Sequence, residues 1–403
     1  MENLSVLYVS GSLGLGHVTR DLAVAGELRK RIPGADIEWL AAEPARTFLK
    51  EAGERVIAEA EALGNDSVSA EEAARGTSLN LMKYLLKAKD EWKKNVEVFM
   101  KVVGRKKYDL VVGDETYEIN IAMREHPEVK TFPYAVIYDF VGLEAMTLNP
   151  LERLGVYYWN RIWTKSYRLK QKPVYDLAFF VGEPEDVPDT RFGPGLPRRR
   201  DYAREIFTFI GYIFPFDPAE YADREQVREK LGYGVGPLVI CSIGGTAIGR
   251  DMLELCGEAY EMVKEKVPDL HFLVVTGPRL PRDAVHLPEG VEVRGFVPRL
   301  YEHFAVCDLA IVQGGGTTVF ELTALRRPFL YFPLKGHCEQ ANIARILSRR
   351  GAGVQMDLSR TSPALLAEKI MENLGKEVTY PPIPVDGARK AAEALCELVN
   401  GRE

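Results

Sequence analysis

The sequence predicts an α/β protein of two domains, each built on a parallel sheet of Rossmann type. Three observations predict it. Strand-like apolar runs alternate with helical patterns along the chain, as in parallel sheets with crossover helices. The 403 residues exceed what one ordinary hydrophobic core organises. Three times a strand runs into a glycine-rich turn and then a helix, at GSLGLGH, SIGGT and QGGGTT. The expected domains are 1–212 and 213–386, with an amphipathic helical tail in 387–403. The break is placed in residues 211–226, where Pro and Asp accumulate between a strand and a fresh helix. A second stretch of low order is expected at 182–200, rich in proline and ending in Arg198-Arg199-Arg200.

Composition narrows the function. Hydrophobic residues at 46% and charged residues at 27% describe a soluble globular chain, and a net charge of −6 argues against bulk nucleic-acid binding. No apolar run reaches the roughly 18 residues a membrane span needs. Met1 leads straight into LSVLYVS without a basic n-region or cleavage site, so no secretory signal is expected. Five scattered cysteines, Cys241, Cys256, Cys307, Cys338 and Cys396, read as reduced thiols of a cytoplasmic protein. None has metal-ligand spacing with the histidines, so neither a structural metal nor a cofactor is expected.

In the first half, strands are expected near Val6–Ser10, Ile37–Ala41, Leu110–Val112, Ala135–Tyr138 and Leu177–Val181, and helices near Val18–Lys30, Leu79–Val103 and Leu151–Lys170. The first turn carries Gly11, Gly14 and Gly16 as G-x-x-G-x-G, not the dinucleotide order G-x-G-x-x-G. No acid closes the second strand, DIEWLAA, so a dinucleotide enzyme is not expected. Gly16 leads into His17, which opens a helix, and Arg20 follows one turn on. The helix dipole at that end favours the uncharged ring, the form that accepts a proton. Asp114 and Glu115 follow one strand and Asp139 another. Acids at the carboxyl ends of parallel strands are site residues or helix N-caps, and Asp114 is a candidate partner of the histidine or of a substrate. Residues 151–172 carry six basic residues against one acid, with Trp159, Trp163 and Tyr167 among them. On one continuous helix Arg161, Lys165, Arg168 and Lys172 would share a face. That suits contact with a membrane surface, and it equally suits tryptophans in a core with cations in water.

In the second half, strands are expected near Leu238–Ser242, His271–Val275, Val291–Arg294, Leu309–Val312 and Phe329–Phe332. Gly244, Gly245 and Thr246 join a strand to a helix and make an anion cradle, with Arg250 in the helix's first turn able to reach a diphosphate. Gly314, Gly315 and Gly316 form a second cradle, read here as a sharp glycine turn, after which Thr317 and Thr318 open a helix. Glu321 lies at i+4 from Thr317, on the same face. A carboxylate one turn from a phosphate cradle can accept both hydroxyl hydrogens of a ribose diol. Pro328 and Pro333 bracket the next strand, and Glu339 and Gln340 offer polar groups beyond its carboxyl end.

The order G-G-x-x-[ST]-x-x-E, then Pro328, Pro333 and the acid-amide pair, resembles the donor-nucleotide signature of GT-B glycosyltransferases. It is similar to UDP-sugar transferases of plant and macrolide type, and to the bacterial enzyme that adds N-acetylglucosamine to the lipid-linked peptidoglycan precursor. Gln313, Gly314, Glu321, Pro328 and Pro333 match without gaps. The acid-amide pair needs a short insertion around His337 and Cys338. Plant-type enzymes carry His where Gln313 stands and Trp-Asn where Gly316-Thr317 stand.

The resemblance implies two Rossmann-like domains whose parallel sheets face each other across a cleft. It places the donor nucleotide sugar on the C-terminal domain and the acceptor on the N-terminal domain, with the tail helix crossing back to the latter. It implies Phe296 and Val297 beside the base, the Gly244 loop against the diphosphate or the acceptor, and His17 as the base that deprotonates an acceptor hydroxyl. The expected reaction is inverting, metal-independent transfer from a UDP-sugar to an acceptor that is lipid-linked or soluble, in the cytoplasm or at the inner membrane face. Two other readings stay open. One is a nucleotide-sugar hydrolase, whose G-x-G-H-x-x-R turn Gly14, Gly16, His17 and Arg20 echo. The other is a non-catalytic nucleotide-sugar binder.

Overall fold

The computed structural model describes residues 4–11, 15–75, 78–79, 81–245 and 247–401. By their contacts the residues form two units, one of 1–70, 81–215 and 384–403, the other of 71–80 and 216–383.

The first unit is a seven-stranded parallel sheet. Its strands are β1 (Leu4–Val9), β2 (Ala35–Leu40), β3 (Arg55–Val56), β4 (Leu110–Asp114), β5 (Tyr134–Tyr138), β6 (Leu177–Val181) and β7 (Thr208–Gly211), in the order β3-β2-β1-β4-β5-β6-β7. The second unit repeats the plan with β8 (Leu238–Ser242), β9 (His271–Val275), β10 (Glu292–Arg294), β11 (Leu309–Gln313), β12 (Phe329–Phe332) and β13 (Val354–Gln355), in the order β10-β9-β8-β11-β12-β13, again all parallel. The helices that matter below are α1 (Gly16–Arg31), α2 (Leu81–Arg105), α3 (Pro150–Trp163), α4 (Arg250–Lys264), α5 (Gly316–Ala324), α6 (Cys338–Arg350) and α7 (Gly387–Asn400).

Continuous apolar runs make the central strands, because a parallel sheet covered by helices is buried on both faces. Every residue of β4, β5 and β8 is buried. Alternate residues of β1 feed different cores. Val6 and Tyr8 pack with Val18, Val24 and Leu28 of α1, while Leu7 and Val9 pack with Phe99 and Val136. The α7 helix adds Ala388, Ala391, Ala392, Leu395 and Val399 to the α1 side of that sheet. Arg31 pairs with Glu393 at 2.8 Å across the same two helices. Gly387 is required where α7 starts, since a Cβ there would stand 2.6 Å from the Tyr212 carbonyl.

Several expectations need correction. The passage between units falls inside the expected 211–226, but that segment is packed rather than free. Tyr212, Ile213, Phe214, Phe216 and Tyr221 are buried, and Phe216 stacks on Tyr301 with ring centroids 4.4 Å apart. The chain passes between units at 215/216, and residues 71–80 join the second unit although they lie within the expected first domain. Residues 182–200 are likewise tied down. Arg199 is buried and donates to the Val141 and Leu143 carbonyls at 3.0 and 2.7 Å, and Glu183 and Asp186 form a reciprocal cap. Pro and Asp content concealed both segments, because a few buried aromatics and one buried arginine decide their order.

The helix expected over Leu151–Lys170 breaks at Thr164, whose buried hydroxyl donates to the Asn160 carbonyl at 2.9 Å. Lys172 lies past the last helical residue, Arg168, so the four cations do not share one helix. Trp159 meets Trp92 edge-on, and Trp163 packs against Tyr117, Tyr138 and Phe140. What faces outward is apolar of another kind: Leu148, Leu151, Leu154 and Tyr158, exposed by 86%, 73%, 65% and 61%.

Candidate active site

In each unit the strand order reverses between two central strands, β1 and β4 in the first and β8 and β11 in the second. Open parallel sheets bind ligands at the carboxyl ends of such strands. His17, Asp114, Gly244 and Gly314 follow or end these four strands.

In the first unit β1 ends at Val9, Ser10 and Gly11 follow it, and α1 begins at Gly16, with His17 in its first turn; Ser12, Leu13 and Gly14 lie outside the described residues. The β4 strand ends on Asp114. Gly113 before it has no room for a Cβ, which would stand 3.0 Å from the Tyr134 hydroxyl and strike Thr116. Glu115 after it adopts a left-handed backbone, φ 53°, a conformation that costs a non-glycine residue stability and concentrates at functional sites.

Five side chains, distant in sequence, converge. Arg20 donates from Nε to Asp114 Oδ2 at 2.9 Å, from Nη2 to Asp114 Oδ1, and from Nη1 to Asp139 Oδ2 at 2.6 Å. His17 Nδ1 lies 3.1 Å from Asp114 Oδ2 and 2.8 Å from Arg20 Nη2. One ring nitrogen cannot both donate to the carboxylate and accept from the guanidinium. Donation leaves Nε2 unprotonated and able to take a proton. Glu115 Oε2 is 3.9 Å from that Nε2.

The electrostatics follow from burial against charge. Burial opposes ionisation of Asp114, but Arg20 and His17 outweigh it and hold the carboxyl far below the usual range. Burial also opposes the Arg20 cation, and Asp114 and Asp139 overcome it. Arg20 is thus a clamp that fixes both acids rather than a group reaching toward a ligand. Beneath lies Asp21, wholly buried, accepting from Tyr8 Oη at 3.0 Å and Ser10 Oγ at 2.5 Å. Burial and then Asp114 push its carboxyl well up. Nothing in the sequence separates Asp21 from a solvated acid on a helix.

In the second unit, Gly244 and Gly277 both have left-handed backbones, φ 77° and 78°, and a Cβ on Gly277 would strike the Gly244 carbonyl. Gly249 starts α4 at φ 121°, and Gln313 from β11 donates to the Ile248 carbonyl at 2.7 Å. Gln313 therefore holds the Gly244–Gly249 loop to its neighbouring strand. Gly245 belongs to this loop, while Thr246 lies outside the described residues. Arg250 pairs with Glu254 at 2.9 Å on the helix surface, because i,i+4 spacing puts that acid nearer than the loop. Glu71 and Arg279 were not foreseen. Glu71 accepts from the Ala247 N–H at 3.1 Å and from both sides of the Arg279 fork at 2.6 Å.

Gly314 and Gly315 carry the chain from β11 into α5 within two residues, and none of Gly314, Gly315 and Gly316 uses a left-handed backbone to do so. Gly314 is needed for packing, as a Cβ would stand 3.0 Å from Pro333 and 3.3 Å from Gln340 Oε1, while Gly315 faces open space. The α5 helix begins at Gly316, one residue before Thr317 and Thr318, and no side chain caps it. Glu321 is buried on α5, and burial alone pushes its carboxyl up to about 8. Gln340 Oε1 accepts from the Leu334 N–H at 2.7 Å, so that oxygen shapes the loop before α6, in whose first turn Glu339 lies. Phe296 is half-buried beside buried Val297.

Residues 239–389 match the glycosyltransferase family 28 C-terminal domain. An uncharacterized glycosyltransferase of Methanopyrus kandleri is 24% identical over 330 residues, covering 74% of this chain and 89% of that one. The UDP-N-acetylglucosamine--N-acetylmuramyl-(pentapeptide) pyrophosphoryl-undecaprenol N-acetylglucosamine transferase of Carboxydothermus hydrogenoformans is 28% identical over 166 residues, 40% of each chain. Among solved structures, the glycotransferase of kitacinnamycin superposes with a TM-score of 0.62 at 16% identity, over 100% of this chain and 96% of that one. With two parallel-sheet units of matching fold and that C-terminal domain, the chain is a glycosyltransferase of the GT-B fold, and its sugar comes from a nucleotide sugar.

Proposed function

We propose that the chain transfers a sugar from a UDP-sugar to a hydroxyl acceptor by direct displacement, with inversion and without a metal. The observation that carries this reading is the His17–Asp114 contact at the end of two central strands. With Nδ1–H donated to Asp114, His17 Nε2 takes the acceptor proton as the acceptor oxygen attacks the sugar carbon. Asp114 fixes the tautomer and offsets the imidazolium that forms. The leaving diphosphate is assigned to the second unit. There the uncapped N-terminus of α5 and the Gly244–Gly245 turn offer backbone N–H groups where charge develops. Glu321 is assigned to the ribose diol, and Phe296 with Val297 to the base.

One assay separates this reading from its rivals. Nucleotide release from UDP-sugars is followed in EDTA, with and without candidate acceptors. Release that depends on an acceptor and persists in EDTA is expected. Free sugar formed without any acceptor makes the chain a hydrolase, and binding without turnover makes it a binder. Activity abolished by EDTA and restored by a divalent ion overturns metal independence.

The acceptor proposed is lipid-linked, as the name of the Carboxydothermus relative states for that enzyme. The outward face of α3 supports this. Leu148, Leu151, Leu154 and Tyr158 are exposed together, beside Arg153 and Arg161. Glu152, the only acid of the segment, is turned inward and accepts from the Met146 N–H at 2.6 Å and from Thr147. The face thus shows leucines, a tyrosine and cations, as an interfacial helix does. Among the described residues no helix is long and apolar enough to cross a membrane. A peripheral position at the inner membrane face is therefore proposed. Flotation with anionic vesicles should retain the chain, and Leu151→Glu with Leu154→Glu should release it; equal retention of both proteins removes the membrane assignment.

A further inference from the structure

Two buried carboxyl oxygens in the first unit receive no hydrogen from any described N–H or O–H group: Oε1 of Glu115 and Oδ1 of Asp139. The two side chains nonetheless hydrogen-bond each other. Carboxyl oxygens bond to one another only with a proton between them. The other oxygen of each is already placed. Asp139 Oδ2 is held by Arg20 Nη1 at 2.6 Å, and Glu115 Oε2 faces His17 Nε2 at 3.9 Å. The left-handed backbone of Glu115 is what turns its side chain into this position directly after Asp114.

We propose that Glu115 and Asp139 are a proton-sharing pair that unloads His17 after each transfer, a role that rests on His17 being the base. The step balances. The imidazolium Nε2–H bond breaks and a bond forms to Glu115 Oε2. The proton on Glu115 Oε1 moves to Asp139 Oδ1. His17 is neutral again, and the proton leaves to water once the Asp139 carboxyl, whose side chain is 25% exposed although Oδ1 itself is buried, turns outward. A half-turn of the Glu115 carboxyl restores the starting arrangement.

The groups around Glu115 agree on where the proton rests. Burial pushes its carboxyl well up, Asp139 after the β5 strand pushes the same way, Arg20 on α1 opposes, and Asp114 adds to the rise. His17 on α1 faces it, and so does the buried Tyr117 hydroxyl, unpartnered among the described residues. Burial would raise Asp139 too, but Arg20 and the Glu115 hydrogen bond hold it below its ordinary value. Glu115 therefore keeps the proton and Asp139 the charge.

Glu115→Gln keeps the shape and leaves an N–H for Asp139, yet its amide cannot take a proton from His17. The expected result is a kcat lower by roughly tenfold or more, an unchanged nucleotide Kd, and a new dependence of kcat on the concentration of added imidazole buffer. The wild type should show no such dependence. Asp139→Asn, measured alongside in case the first variant folds poorly, should show the same buffer dependence. Wild-type kcat without buffer dependence in either folded variant overturns the pair, as does a parallel loss of nucleotide affinity. His17→Ala, run in the same series, shows separately whether the base assignment holds.

Discussion

His17→Ala is expected to cut turnover by about 10²–10⁴-fold, the usual contribution of one acid–base group. Nucleotide affinity should hardly move, because every group assigned to the nucleotide belongs to the second unit. The size of the loss follows from what the ring does. Without it the acceptor hydroxyl must attack with its proton in place, because Asp114, kept ionised by Arg20 although burial opposes the charge, is a poor base. If His17 only began a helix, the variant would melt earlier and the folded fraction would turn over at nearly the normal rate. His17 makes no side-chain cap on α1, but its ring is only 12% exposed, so melting temperature has to be measured beside turnover. Near-wild-type turnover would remove His17 from the mechanism and shift attention to Asp114.

The second large effect is on binding. Glu321→Gln should weaken nucleotide binding by about 1.5–3 kcal/mol, the range for losing hydrogen bonds to a charged group. That is roughly ten- to a hundredfold in Kd. The structure adds a pH signature. Burial raises the free Glu321 carboxyl to about 8, so near neutral pH the empty site holds a proton there. Two ribose hydroxyls donating to the group favour the ionised form, and binding must then release that proton. Affinity should therefore rise with pH from about 6 to about 8, by up to tenfold per unit, and level off above. The variant should lose this part of the slope, and taking the difference between the two proteins cancels titration of the phosphate. Calorimetry in buffers of different ionisation enthalpy reads the released proton directly. Equal affinities and equal slopes would sink the ribose assignment.

What was legible in the sequence divides along physical lines. Strand-turn-helix units were visible because apolar runs and glycines are local signals. His17, Asp114 and Glu321 stood out because each sits at a fixed offset from the end of a strand. The clamp did not. Arg20 is visible one turn from His17, but the two acids that it holds lie 94 and 119 residues away, and only the sheet order brings them together. Gln340 read as a ligand group from its place beyond a strand end. Its Oε1 accepts from the Leu334 N–H, as Gln313 Nε2 donates to the Ile248 carbonyl, and such roles depend on backbone positions no spacing encodes. The glycines at 314–316 were read for turning and one serves for close packing. Residues 71–80 were assigned by continuity, whereas the Glu71–Arg279 pair ties them elsewhere.

The position of α7 sets an order of events during synthesis. Val18, Val24 and Leu28 of α1 share a core with Ala391, Leu395 and Val399, which leave the ribosome only after the whole of 216–383. Until then one face of the first sheet and its helix stands partly uncovered, and α1, with His17 at its tip, lacks the surface that seats it. The second unit by that time has all six of its strands. A growing chain thus completes the half proposed to hold the nucleotide before the half proposed to accept the proton.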